Sequence, residues 1–165
     1  MKSLFTSAIL FLVALSALAG ETRKDSQGPY DPTADAHKEI AHAIKMAQEK
    51  DQHILLMFGA NWCPWCRALH KLMESNAAIN EYLKQNYQIV LVDVGRKDKN
   101  LDLNTRYGEP IKLGLPALVV LDRNGKQLVL QETGALETHD PAVKGHDPQK
   151  VMEFLEKWGP KGRAK

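Results

Sequence analysis

Cys63 and Cys66 are the only two cysteines in the sequence, and they stand three positions apart in Trp62-Cys63-Pro64-Trp65-Cys66. If a helix begins there, residues three apart lie on one side of its first turn. The two sulfurs are then close enough to close a small disulfide ring and to open it again. The chemistry this predicts is thiol–disulfide exchange. The free N–H groups and the dipole of a helix N-terminus favour a thiolate, so Cys63 is the expected nucleophile. Cys66, one turn in and less exposed, is the expected resolving thiol: it attacks the mixed disulfide at Cys63, releases the reduced substrate and leaves the oxidised pair.

Other uses of two cysteines fit less well. A c-type haem site needs histidine directly after the second cysteine, where this chain has Arg67. Structural zinc needs about four ligands. His70 could be a third, but no fourth suggests itself, and His70 reads as a helix-surface residue. Copper carriage would call for Met and His ligands close to the cysteines, and none is evident apart from His70. A purely structural bridge across so short a loop removes little entropy from the unfolded chain. No metal and no cofactor beyond the redox-active Cys63–Cys66 pair is expected.

The cysteines need a strand to end, and a helix to start, at the right place. Ile54 to Phe58 is a continuous apolar run, too short for a helix and ended by Gly59, which suits a strand covered on both faces. Pro64 falls at the first helical position, where its missing N–H is harmless. Leu69, Leu72 and Met73 give the following helix an inner face. Ser75-Asn76 breaks it and can cap a second helix over Ala77 to Gln85. Upstream, Ala36, Ile40, Ala43, Ile44 and Ala47 recur at helical spacing, predicting an amphipathic helix capped by Thr33 or Asp35, with His37 and His42 solvated. Downstream, Gln88 to Val94 reads as a strand, Asn100 to Tyr107 as a short helix and Gly108 to Gly114 as a loop. Ala117 to Leu121 and Lys126 to Gln131 read as an antiparallel hairpin turning at Asp122 to Gly125. A polar loop then leads to a closing helix, Gln149 to Trp158, with Val151, Met152, Phe154, Leu155 and Trp158 inward.

At 165 residues, 44% hydrophobic and 25% charged, the chain suits one domain with a single core. A net charge of +2, with basic and acidic residues intermixed, lacks the dense basic patch that nucleic-acid binding needs. The first residues are of another kind. Lys2 precedes an apolar run from Ala8 that extends almost unbroken to Leu18, and Ala17-Leu18-Ala19 supplies the small-x-small pattern that signal peptidase cuts. A membrane anchor would need roughly 20 apolar residues, and charged Glu21, Arg23, Lys24 and Asp25 follow at once. The expected organisation is a signal peptide over residues 1–19, a flexible lead-in over 20–32, one domain over 33–158 and a basic tail over 159–165. The expected location is periplasmic or extracellular, with no membrane span left after cleavage.

Trp62-Cys63-Pro64-Trp65-Cys66 after an apolar strand, Leu115-Pro116 heading another, the Asn124-Gly125 turn and Gly134 before the last helix occur in the order seen in the thioredoxin superfamily. The chain resembles that superfamily from about Thr33 to Trp158. The resemblance implies an α/β thioredoxin fold, a central mixed sheet flanked by helices, with an N-terminal helix and extended loops near the active site. It implies that Pro116 is cis and packs on the sulfurs, and that Leu115 and Pro116 meet the extended substrate chain, together with Trp65 and Gly134. A proline at the head of a central strand is otherwise poorly placed. The break at Ser75-Asn76 is similar to the exported branch, including the C-terminal domain of the membrane electron carrier that reduces periplasmic proteins. Two departures stand out. Met57 occupies the place of the buried Asp that serves many thioredoxins as proton acceptor for the resolving cysteine. Pro64-Trp65 also differs from both the Gly-Pro of thioredoxin and the Pro-His of strong oxidants.

The function expected is that of an exported thiol–disulfide oxidoreductase of protein substrates, reductive rather than oxidative, served by a separate thiol–disulfide donor or acceptor. An isomerase or oxidase of the same fold, and a non-enzymatic binding or chaperone module, are the alternatives. No dimerisation module is evident, so a monomer is expected. Trp62 and Trp65 could form a hydrophobic docking rim; Trp65 is expected to be exposed, and Trp62 either exposed or packed on the domain. The loops 108–114 and 137–148 are expected near Pro116 and Gly134, where they could set partner choice, with His139 and His146 solvated.

Overall fold

The computed structural model describes residues 28–140 and 145–161. The proposed signal peptide, most of the lead-in and the last residues of the basic tail lie outside them. The elements are α1 (Ala36–Lys50), β1 (His53–Gly59), α2 (Pro64–Ser75), α3 (Ala77–Asn86), β2 (Tyr87–Asp93), α4 (Leu101–Arg106), α5 (Pro110–Leu113), β3 (Ala117–Leu121), β4 (Gln127–Glu132) and α6 (Pro148–Trp158), with a 3-10 turn at Gly134–Leu136.

The four strands form one sheet in the order β2-β1-β3-β4. β1 pairs with β2 in parallel, and β1–β3 and β3–β4 are antiparallel. Side chains alternate across a strand, and here both faces are covered, which is why β1 from Ile54 to Phe58 and the whole of β3 are apolar. Ile54, Leu56 and Phe58 of β1 with Ala117, Val119 and Leu121 of β3 pack against Ile40, Ala43 and Ala47 of α1 and against Leu103 and Tyr107. Leu55 and Met57 with Leu118 and Val120 face the other way, onto Leu69 and Met73 of α2, Ile79 and Leu83 of α3 and Val151, Phe154 and Leu155 of α6. Both cysteines belong to this second cluster.

Side-chain caps set the boundaries. Asp35 accepts from Lys38 N at 3.2 Å and starts α1. Asn76 ends α2 through its own N–H to Leu72 O and starts α3 by accepting from Ile79 N at 3.1 Å, so one residue makes the break between the two helices. The Asp122 carboxylate accepts from Asn124 N and Lys126 N, both at 2.9 Å, and Gly125 takes the positive φ the hairpin turn needs.

The lead-in, the first loop and the tail depart from the sequence expectation. Residues 28–32 do not simply trail from the domain: Tyr30 is 1% exposed and belongs to the core. The segment 108–114 contains α5, because Pro110 starts the turn and the buried Asn104 accepts from Ile111 N at 2.9 Å. The frayed basic tail expected from residue 159 does not start there, since Gly159 is buried, with Tyr82 so close that a Cβ there would meet its hydroxyl at 2.6 Å. Met152 and Trp158, expected inward, are half-buried.

Candidate active site

β1 is a central strand, and its C-terminal end delivers the chain through Gly59-Ala60-Asn61-Trp62 to the N-terminus of α2. Cys63 is the cap residue of that helix: its N–H donates to Ala60 O at 3.1 Å, its carbonyl accepts from Arg67 N at 3.2 Å, and its Sγ accepts from Cys66 N at 3.2 Å. A sulfur occupies the position where helices usually place a Ser, Thr, Asn or Asp oxygen. Negative charge on it is therefore favoured by a backbone donor and by the helix dipole. Cys63 and Cys66 are joined as a disulfide with their Cα atoms 5.3 Å apart. Cys66 has no exposure and Cys63 retains 4%, so an attacking sulfur from solvent finds Cys63 first.

β3 runs antiparallel to β1 with Ala117 opposite Phe58, which places the residues before β3 beside the active-site loop. The Leu115–Pro116 bond is cis. The Leu115 carbonyl oxygen lies 3.6 Å from Cys63 Sγ, and Pro116 is buried. At the far side of the hairpin, Thr133 Oγ1 donates to Pro116 O at 2.6 Å. Gly134 is exposed, opens the 3-10 turn and donates its N–H to the Glu132 carboxylate. Thus Cys63, Cys66, Leu115 and Pro116 come together, and Gly134 joins the group only through its neighbour Thr133.

Of the two tryptophans, Trp65 departs from its expected exposure, and Trp62 takes the exposed one of the two places expected for it. Trp62 is the exposed one, at 38%, with its indole N–H donating to Gly95 O at 2.6 Å. Trp65 is half-buried, packed on the core cluster and met edge-on by the His146 ring, with centroids 5.7 Å apart and planes at 88°. His146 is not solvated: it is 7% exposed, neither ring nitrogen has a hydrogen-bond partner among the described residues, and burial lowers its pKa from 6.5 to about 4. It is held there by a bridge to Glu137 and by Asp147 N donating to Leu136 O at 2.8 Å. His139 is exposed, with Nε2 3.0 Å from Lys150 Nζ. His70 lies one turn beyond Cys66 with Nδ1 3.3 Å from the Glu74 carboxylate. Among the described residues, no three His, Cys, Asp or Glu side chains are placed to hold a metal.

The Thioredoxin-like domain profile matches residues 40–142, most of the chain. The chain belongs to the thioredoxin-like family. A solved structure of a disulphide isomerase from Xylella fastidiosa Temecula1 is 33% identical, with 80% of this chain and 97% of that one covered at a TM-score of 0.68. The oxidised C-terminal domain of Neisseria meningitidis DsbD shares the fold at 21% identity and a TM-score of 0.50, with 76% and 97% of the two chains covered. Human nucleoredoxin is 27% identical over 135 residues; the match takes in 68% of this chain but only 30% of the length of nucleoredoxin. The paired cysteines at the start of α2 give this thioredoxin-like chain a CxxC disulfide at the N-terminus of a helix.

Within the thioredoxin-like frame, two residues that sequence reasoning missed build the floor of the site. Asn61 clamps the backbone of Tyr30 from both sides, accepting from Tyr30 N at 2.9 Å and donating to Tyr30 O at 2.7 Å. The Tyr30 ring then lies beneath the loop: a Cβ on Gly59 would collide with the Tyr30 hydroxyl and come within 2.9 Å of Cys66 Sγ. Phenol and sulfur therefore share the space that only glycine leaves open at position 59. A signal for Tyr30 was present, a lone aromatic between the breakers Gly28-Pro29 and Asp31-Pro32, but Asn61 carried none. Asn61→Ala leaves two buried backbone groups of Tyr30 unpaired, at a cost of about 1–3 kcal/mol each if they stay buried. The expected outcome is a lower denaturant midpoint and, in the reduced protein, faster alkylation of Cys66; unchanged values for both would remove the clamp from the account.

Proposed function

We propose that the chain is an exported reductase of protein disulfides that works through the Cys63–Cys66 pair alone, with no metal or organic cofactor. The observation that carries this reading is Cys63 Sγ at the helix N-terminus, beside the Leu115 carbonyl and next to a buried partner sulfur. In the reduced protein, the Cys63 thiolate attacks one sulfur of a substrate disulfide. A Cys63–substrate bond forms, the substrate S–S bond breaks, and the other substrate sulfur leaves as a thiolate that takes a proton from solvent. Cys66, as thiolate, then attacks Cys63 Sγ. The Cys63–Cys66 bond forms, the mixed disulfide breaks, and the second substrate sulfur leaves reduced. Two electrons have passed to the substrate, and a separate dithiol donor must return them. The backbone at Leu115 and Pro116, beside Cys63, suits pairing with an extended substrate chain, and exposed Trp62 offers it an apolar contact.

Export rests on the apolar stretch ending in Ala17-Leu18-Ala19; no helix of the described residues is long and apolar enough to cross a membrane. The reductive direction rests on Pro64-Trp65 standing where strong oxidants carry Pro-His. Equilibration with glutathione tests it: the expected potential lies below about −150 mV, and a value above that, near the strongly oxidising end of the range, overturns the direction. The 33% identity to the Xylella disulphide isomerase favours a second reading, isomerisation. Refolding of a scrambled disulfide protein without net reduction would select it.

A further inference from the structure

The dithiol chemistry leaves a thiolate to be stabilised at Cys66, and Met57, fully buried in the same cluster, offers it no hydrogen-bond donor. Around Cys66 the cluster is apolar apart from the tyrosines, and the Tyr87 hydroxyl is already committed to Leu155 O at 2.8 Å. The Tyr30 hydroxyl is different. It is buried, has no hydrogen-bond partner among the described residues, and lies with Cys66 Sγ against Gly59. A buried hydroxyl left unpaired carries a desolvation cost, and such a group calls for an explanation in terms of what it does in another state of the protein.

We propose that Tyr30 is a positioning residue for the redox step, its hydroxyl donating a hydrogen bond to the Cys66 thiolate when the disulfide opens. In the disulfide, Cys66 Sγ is a neutral and poor acceptor, and the phenol waits without a partner. When an incoming thiolate attacks Cys63, the Cys63–Cys66 bond breaks and its electron pair stays on Cys66, producing a full negative charge inside an apolar cluster. The O–H of Tyr30 is then the nearby donor for it. The phenol keeps its proton throughout: burial, reinforced by the Asp93 carboxylate, pushes its pKa well above the ordinary 10, so it acts as donor and not as base. Asp93 is the charged group bearing on it; it pairs with Gly59 across β1 and β2 and is held 3.4 Å from Lys99 Nζ. The same bond serves the return step, because Cys66 must be a thiolate to attack the mixed disulfide at Cys63.

This inference rests on the thiol–disulfide reading and makes its own prediction. Tyr30→Phe keeps the ring and removes only the hydroxyl. The folded disulfide form should keep its denaturant midpoint or gain, since an unpaired polar group is lost, while the dithiol form loses a hydrogen bond to charge. Glutathione equilibration should therefore show the disulfide favoured by roughly tenfold or more over the parent protein, a potential about 30 mV more negative per tenfold. In Cys63→Ser, the Cβ resonance of Cys66 should titrate about one pH unit lower than in the Cys63→Ser/Tyr30→Phe double variant. On the parent protein, the Cζ resonance of Tyr30 should move on reduction, a readout that needs no variant to fold. Equal potentials, equal Cys66 titrations or a Tyr30 resonance indifferent to reduction would overturn the role of Tyr30 while the exchange reading stands. A parent protein that does not equilibrate with glutathione at all would overturn both.

Discussion

Cys63→Ala should abolish reduction of insulin, while Cys66→Ala should allow one attack and then stall with substrate attached through Cys63. The asymmetry follows from position. Cys63 caps α2, with a backbone N–H donated to its sulfur and what little exposure the pair has. Cys66 sits wholly buried on the inner face of the same helix, so it can reach the Cys63 sulfur but no substrate disulfide in solvent. Without Cys63 no mixed disulfide forms; without Cys66 it forms and is not resolved. Both variants should still fold, because a disulfide spanning three positions constrains the unfolded chain by no more than about 2 kcal/mol. The loss is thus chemical rather than structural. A binding module built on the same fold would instead keep its partner affinity in Cys63→Ala. Turnover assays with mass spectrometry of the trapped species separate the two.

Acidification should loosen the cover over Trp65. In the folded chain the pKa of His146 is lowered from 6.5 to about 4 by burial, so the fold holds the neutral ring and the unfolded chain binds the proton first. For a base with a depressed folded pKa, the contribution to stability is complete above 6.5. It declines as pH falls through the window to about 4, below which both states are protonated. At about 1.4 kcal/mol per pH unit, the full shift is on the order of 3 kcal/mol. The decline falls on the contacts that hold His146 in place, the Glu137 bridge and the edge-on contact with Trp65. Stability and tryptophan fluorescence measured from pH 7 to pH 4 should fall more steeply in the parent protein than in His146→Phe. Parallel profiles would show that His146 does not report on this face.

The framework of the fold is written locally. Apolar runs too short for helices became β1 and β3, buried on both faces, and Asn76 made the break between α2 and α3 through its own side chain and backbone. The cysteines and Pro116 could be found because their residue types restrict what the backbone and the chemistry can do. The floor and cover of the site depend on contacts distant in sequence, which local pattern does not record. Tyr30 stands in a polar stretch that reads as a mobile lead-in, and its two hydrogen bonds with Asn61 and its packing in the core hold it beside Cys66. His146 lies in a polar loop whose composition predicts solvation, yet it is folded against a tryptophan on another element. The same contact explains why Trp65 is half-buried rather than exposed.

The most direct test of the account is to mix the fully reduced protein with one equivalent of a disulfide-bonded peptide, quench with acid at successive times and map the products by mass. The account predicts a transient adduct on Cys63 alone, followed by a Cys63–Cys66 disulfide and one equivalent of reduced peptide. An adduct that forms on Cys66, or a protein that recovers unchanged beside intact peptide disulfide, would contradict it.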